Sequence, residues 1–295
     1  MGNSLLSMLY LYMFLFQSHL KKPIDAIFMH LTVVNILNLT FTMLPDIIAC
    51  FGIQQFLNDV GCKVVVYFLR VTRGLSICTT SLLSAFQAIT ISNSHAQLVC
   101  LKSKLSMWIF PSFLFFWVIN MVIYIPVITA MKGKSNFTFV GPGISNAYCQ
   151  TPQIEDNRSW YFISILLFRD LVFVILMITT SFYMVTFLYR HHKTAQHLHS
   201  PRLPSQLAPE NKATHTILLL VSCFVFFYCS NNIVNFYSFY TPVKIPTLDV
   251  LICILSSCYP TVCPFFLMKN NKIFSKYSLS LLMIGSTGCH KAFNS

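Results

Sequence analysis

Acidic residues are scarce in this chain: 8 Asp and Glu stand against 20 Lys and Arg in 295 residues, and charged side chains make up only 9% of the total. Hydrophobic residues reach 55%, and Phe alone occurs 28 times, so a charged water-facing surface cannot be assembled. Amphipathic helices that would cover a soluble core are absent as well. No GxGxxG, Walker, HExxH or GxSxG sequence occurs, so no enzyme and no cofactor are expected. The cluster His191, His192, His197 and His199 lies in a basic, proline-containing connector with no acidic or thiolate ligand nearby, and no metal site is expected there. The net charge of +12 is spread over short connectors and forms no separate basic domain, so no nucleic-acid surface is expected either.

What the chain does have is seven strongly apolar stretches, at residues 2–16, 24–49, 64–91, 107–129, 160–189, 214–239 and 248–268. A helix crosses the ~30 Å hydrocarbon core in about 20 residues, so the pattern predicts an all-α membrane protein, a single bundle of seven transmembrane helices over residues 1–295. The connectors set the orientation. Lys21, Lys22, Lys102, Lys104, Arg190, Lys193, Arg202, Lys212, Lys269, Lys272, Lys276 and Lys291 fall on one side, and only Lys63, Lys132, Lys134, Arg158 and Lys244 on the other. The positive-inside rule then predicts an extracellular amino terminus and a cytoplasmic carboxyl terminus. No Lys or Arg precedes the first stretch, which argues against a cleaved signal peptide. That stretch is also short: its 15 residues rise roughly 22 Å, so a shortened first helix is expected.

In this topology Cys62, just before the third span, and Cys149, in the connector between the fourth and fifth, meet in an oxidising compartment and are expected to form a disulfide. The same connector carries Asn136-Phe137-Thr138 and Asn157-Arg158-Ser159, both glycosylation acceptor patterns; Asn136 is the better placed, since Asn157 adjoins a helix start. The third span is the most polar. Arg70 and Arg73 lie one turn apart, and steps of three or four residues continue through Ile77, Thr80, Ser84 and Gln87. Charge is costly in a membrane, so this face should turn into the bundle at the depth of an outward pocket, unless the two long stems carry their heads to the lipid headgroups. Asp46 in the second span and Arg169-Asp170 in the fifth are the candidate partners, with Asp170 expected to pair across the bundle because adjacent residues do not face each other on a helix. Pro45, Pro126, Pro260 and Pro264 should kink their helices at membrane depth.

Several of these segments resemble the vomeronasal type 1 receptors, a family of G-protein-coupled pheromone receptors. They are Gly2-Asn3, the run His30-Leu31-Thr32-Val33-Val34-Asn35, Gly61-Cys62-Lys63, and the stretch from Arg70-Val71-Thr72-Arg73-Gly74-Leu75 to Phe86-Gln87-Ala88-Ile89-Thr90-Ile91-Ser92. Tyr148-Cys149 and Ser257-Cys258-Tyr259-Pro260-Thr261-Val262-Cys263-Pro264-Phe265 complete the match. The resemblance covers nearly the whole chain. It implies a rhodopsin-like seven-helix bundle in the plasma membrane, a small organic pheromone-like ligand, an inhibitory-class heterotrimeric G protein as partner, and the Cys62–Cys149 disulfide. Thr90-Ile91-Ser92 stands where most rhodopsin-like receptors carry Asp-Arg-Tyr, as is normal for this family. The family also has residues before the Gly-Asn pair, where this sequence has Met1.

On this reading Arg70, Arg73, Arg169 and Asp170 are the candidate ligand-pocket residues, in a pocket among spans three, five, six and seven. Lys102, Lys104, Arg190, Lys193 and Lys212 are the candidates for facing the G protein or anionic membrane lipid. A transporter or channel is the alternative, although no inverted repeat is evident. A receptor-shaped chain that no longer signals is the other.

Overall fold

The computed structural model describes residues 1–16, 22–51, 58–92, 96–130, 132–133, 149–150, 157–198, 204–241 and 245–270. Among these residues eight helices follow one another: α1 (Gly2–Phe16), α2 (Pro23–Cys50), α3 (Asp59–Ile91), α4 (Ala96–Ile123), α5 (Ile125–Ala130), α6 (Asn157–Leu198), α7 (Pro204–Tyr240) and α8 (Pro246–Asn270). A two-residue ribbon, β1 (Lys132–Gly133) antiparallel to β2 (Cys149–Gln150), lies between α5 and α6. Six of the helices are long and apolar enough to cross a membrane, and α1 is a shorter apolar helix. Several helices run past the apolar stretches: α4 begins at Ala96, α6 continues to Leu198 and α7 starts at Pro204. Hydropathy marks the slab a helix crosses, whereas backbone hydrogen bonding carries the helix on into water.

The fourth span is divided into α4 and α5. Pro126 has no N–H to offer the carbonyl four residues back, and the chain turns at Tyr124, whose carbonyl accepts from Val127 at 3.0 Å. Pro111, inside α4, is a further proline that the sequence reading passed over.

The centre of the bundle is α3, which contacts α2, α4, α5, α6 and α7. Its start is capped by Asn58, whose side chain accepts from the Gly61 N–H at 2.8 Å. Burial of so polar a helix is possible because its threonines bond back to their own helix, Thr72 to Phe68 and Thr79 to Leu75. The expected polar face does point inward: Ile77, Thr80, Ser84 and Gln87 are all buried.

One hydrophobic cluster runs through α1, α2, α3, α4, α6, α7 and α8, with Leu6, Leu31, Ile77, Phe113, Met177, Phe224 and Cys263 among its members. Despite its 15 residues, α1 is well seated, since Asn3, Leu6, Tyr10 and Met13 recur at helical spacing and are all buried. Between α2, α3 and α4, Trp117 donates to His30 Nε2 at 3.1 Å, His30 Nδ1 meets Thr79 Oγ1 at 3.0 Å, and Phe113 stacks on the imidazole at 4.1 Å. The outer faces of α4 and α6 expose Phe110, Leu114, Phe115, Phe168, Leu171 and Phe182, the composition of a lipid-facing surface.

Candidate functional site

Two residues of α3, Gly74 and Arg73, organise the polar centre. Gly74 leaves room for α4, because a Cβ there would overlap the side-chain amide of Asn120 and approach the Arg169 guanidinium. Asn120 accepts from Arg169 Nη1 at 2.9 Å and donates to the Phe116 carbonyl at 2.8 Å. Arg169 Nη2 also donates to the Tyr124 hydroxyl at 2.9 Å, and Nε and Nη2 donate to Asp170 Oδ1 at 3.0 and 2.7 Å. The other carboxylate oxygen, Oδ2, accepts from the Tyr228 hydroxyl of α7 at 2.6 Å. A single network thus joins α4, α6 and α7 beside Gly74, with its ion pair largely screened from outside at 10% and 17% side-chain exposure.

Arg73 is held differently. Its Nη2 donates to Asn232 Oδ1 at 2.6 Å, and its guanidinium lies 5.0 Å from the centroid of the Tyr228 ring. The side-chain amide of Asn231 lies 2.8 Å from Nη1 and 3.1 Å from Nη2, so with its oxygen on that side it would accept from both. All these partners are neutral. Arg73 forms one wall of a narrow cleft, open at its mouth, to which α2 contributes Asn38, α7 contributes Phe224, Tyr228 and Asn231, and α8 contributes Ser256 and Tyr259. Phe224 packs edge-on against Tyr259 at 4.7 Å, so most of the lining is aromatic or amide. Among the described residues, no carboxylate lines it.

Of the four candidate pocket residues, Arg73 borders this cleft, whereas Arg70, Arg169 and Asp170 do not. The cleft lies among α2, α3, α7 and α8, so the second span takes the place expected for the fifth. Arg70 is half-buried on α3 and makes no hydrogen bond among the described residues. Asp170 reaches across the bundle to Tyr228, yet it also pairs with its neighbour Arg169, contrary to the expectation from helix geometry. The rule for adjacent positions concerns where Cβ atoms point, and an arginine stem is long enough to fold its head back. The side chain of Asp46 lies outside the described residues. Among those described, the polar centre holds three guanidiniums, Arg70, Arg73 and Arg169, and one carboxylate, Asp170.

Tyr124, Tyr228, Asn120, Asn231 and Asn232 were missed by sequence reasoning. The signal for Asn120 was present, since it is a lone amide in an otherwise apolar run from Phe113 to Ile123. Adjacent Asn231 and Asn232 in the sixth span carried the same signal.

Cys62, in the first turn of α3, is joined to Cys149 of β2, with Cα atoms 5.7 Å apart. Asn136 lies outside the described residues, and Asn157 is the first residue of α6 with its side chain outside them. At the end of the bundle away from the disulfide, Gln87 Nε2 donates to Thr214 of α7 at 3.1 Å, and Ser84 meets Thr180 of α6 at 2.6 Å. Lys104, Arg190 and Lys193 are exposed at this end, while the side chains of Lys102 and Lys212 lie outside the described residues.

The model of the vomeronasal organ pheromone receptor family matches residues 1–280. Vomeronasal type-1 receptor 4 of Homo sapiens is 35% identical over 248 residues, covering 84% of this chain and 82% of its own. Olfactory receptor class A-like protein 1 of Danio rerio is 29% identical over 274 residues, covering 92% and 85%. The crystal structure of squid rhodopsin superposes with a TM-score of 0.71 at 14% identity, over 94% of this chain and 74% of that one, which shows a shared fold. The chain therefore belongs to the vomeronasal organ pheromone receptor family, multi-pass membrane proteins with the seven-helix fold of G-protein-coupled receptors.

Proposed function

We propose that this receptor binds a small organic molecule whose polar or anionic group docks against Arg73, and that it signals to an inhibitory-class heterotrimeric G protein. The carrying observation is the cleft itself: a guanidinium with only neutral partners, set among aromatic walls, where a sulfate, carboxylate or carbonyl group would be met in a region of low dielectric. Asp170 is already engaged by Arg169, so the polar centre has positive charge to spare among the described residues. No covalent chemistry is required. A ligand that binds one arrangement of α3 and α7 better than another shifts the balance between them. Arg73→Gln, compared with wild type at matched surface level, should weaken ligand potency; unchanged potency would rule out this site.

In the working orientation the amino terminus is extracellular, the disulfide end faces outward at the plasma membrane, and the Gln87–Thr214 end meets the G protein. Lys102, Lys104, Arg190, Lys193 and Lys212 then form a positive cytoplasmic fringe for acidic patches on the partner and for anionic lipid. Neutralising Arg190 and Lys193 together should reduce ligand-driven nucleotide exchange more than it reduces membrane insertion. Asn136 is the glycan acceptor in this orientation, with Asn157 the weaker candidate.

A further inference from the structure

Arg70 and Arg73, one turn apart on α3, carry more charge than the described residues around them offset. Arg70 is within electrostatic reach of both Arg73 and Asp170, yet that carboxylate is already bonded to Arg169 and Tyr228. Three guanidiniums thus share one carboxylate among the described residues, at a depth where charge without a counter-charge is costly. A guanidinium has five N–H donors, and Asn231 and Asn232 take at most three of those on Arg73. The others are left for the cleft. There Ser76, one turn after Arg73 on the same face and 3% exposed, has no hydrogen-bond partner for its Oγ among the described residues. Asn38 accepts from Thr42 through its side-chain oxygen, which leaves its amide nitrogen as a further donor on the wall. The cleft is therefore rich in donors, has no carboxylate among its described lining residues, and has room for about one water molecule.

We propose that a chloride ion occupies this space in the ligand-free receptor as the counter-ion of Arg73, accepting hydrogen bonds from the Arg73 guanidinium, the Ser76 hydroxyl and the Asn38 amide. Size and charge select it. A cation is repelled by Arg73, and an organic anion would have to widen the cleft, whereas chloride is only slightly larger than water and fits the space as it stands. Water fits as well, but it brings no charge to set against the two arginines. The open mouth gives the ion a way in from solution. A buried hydroxyl without a partner is unfavourable, and Ser76 gains one when the ion is bound. None of this depends on an organic ligand docking at Arg73.

The test uses the full chain in nanodiscs of zwitterionic lipid, with no organic ligand present. Sodium chloride replaces sodium gluconate at constant ionic strength, and the thermal midpoint is the readout. Gluconate is too large for the space, so chloride should raise the midpoint of wild type by about 2–4 °C, and bromide should substitute for it. Arg73→Gln, which removes the charge, should abolish the shift. Ser76→Ala keeps every charge in place and should still reduce it, which separates this site from loose association of chloride with the basic surface. Line broadening in chloride NMR reads binding directly: wild type should broaden the signal, and Ser76→Ala should broaden it less. Equal midpoints in chloride and gluconate would mean that water alone fills the space and overturn the proposal. A shift as large in either variant as in wild type would place the ion elsewhere and overturn it too. Either failure leaves the docking of an organic ligand at Arg73 to be judged by ligand potency, which this experiment does not measure.

Discussion

The side-chain amide of Asn3 donates to the main-chain carbonyl of Pro260 at 2.7 Å, and that carbonyl is the one which Pro264, lacking an N–H, leaves without its helical partner. Gly2 completes the fit, since a Cβ there would stand 3.1 Å from the Pro264 ring. The start of α1 is thereby keyed to the kink of α8. Asn3→Ala should strand a buried carbonyl and destabilise the receptor by about 1–3 kcal/mol. The thermal midpoint of the purified protein measures this, and no change would mean that another group takes over the carbonyl.

Arg169 and Asp170 form the ion pair at the polar centre. Arg169→Met should cost about 3–5 kcal/mol, because it leaves a buried carboxylate supported by Tyr228 alone. Adding Asp170→Leu to that variant removes the stranded charge, so the double variant should be more stable than Arg169→Met by itself. A double-mutant cycle on unfolding midpoints reads the coupling, and strictly additive effects would count against it.

At Gly74 the effect is steric. Gly74→Ala should push Asn120 away and cost about 1–3 kcal/mol in the wild-type background. In an Asn120→Ala background the same change should do little further harm, because the nearest atoms it meets are gone. Surface display of the three variants compares them directly.

The link between Trp117 and His30 fixes a proton. An indole nitrogen can only donate, so His30 Nε2 is the acceptor and Nδ1 carries the hydrogen toward Thr79, whose own hydroxyl donates to the Leu75 carbonyl at 2.7 Å. Trp117→Phe should leave Nε2 without a donor and lower stability by about 1–3 kcal/mol, while the Phe113 stack remains. Replacing His30 by Leu in the Trp117→Phe variant should recover part of that loss in thermal midpoint.

The membrane character and the inward polar face of α3 were legible because both follow from what lipid will not tolerate. Arg73, Thr80, Ser84 and Gln87 could be placed on one side of a helix by counting in steps of three and four. Their partners could not be read that way. Asn232, Tyr259, Thr180 and Thr214 stand far along the chain, and which distant side chain meets which depends on the relative rotation of packed helices. The ion pair between neighbours was misjudged for a related reason: spacing describes backbones, and long side chains do not have to follow it. The break at Tyr124 was half legible, since Pro126 announced a disturbance but not that the span would separate into two helices.

Loss of the Cys62–Cys149 bond, by Cys62→Ser or Cys149→Ser, should cost roughly 4.6 kcal/mol by loop-closure reasoning for a segment of this length and lower surface display, while two free thiols in mass mapping would contradict the bond.

That bond spans 87 positions of sequence, enclosing most of α3 together with α4 and α5 in a covalent ring that passes through the membrane and back. A protease that cuts once in the connector between α3 and α4 therefore opens the ring without releasing a fragment. The two pieces stay tethered until a reductant reaches the bridge, so a nicked receptor should run as one band on a non-reducing gel and as two after reduction.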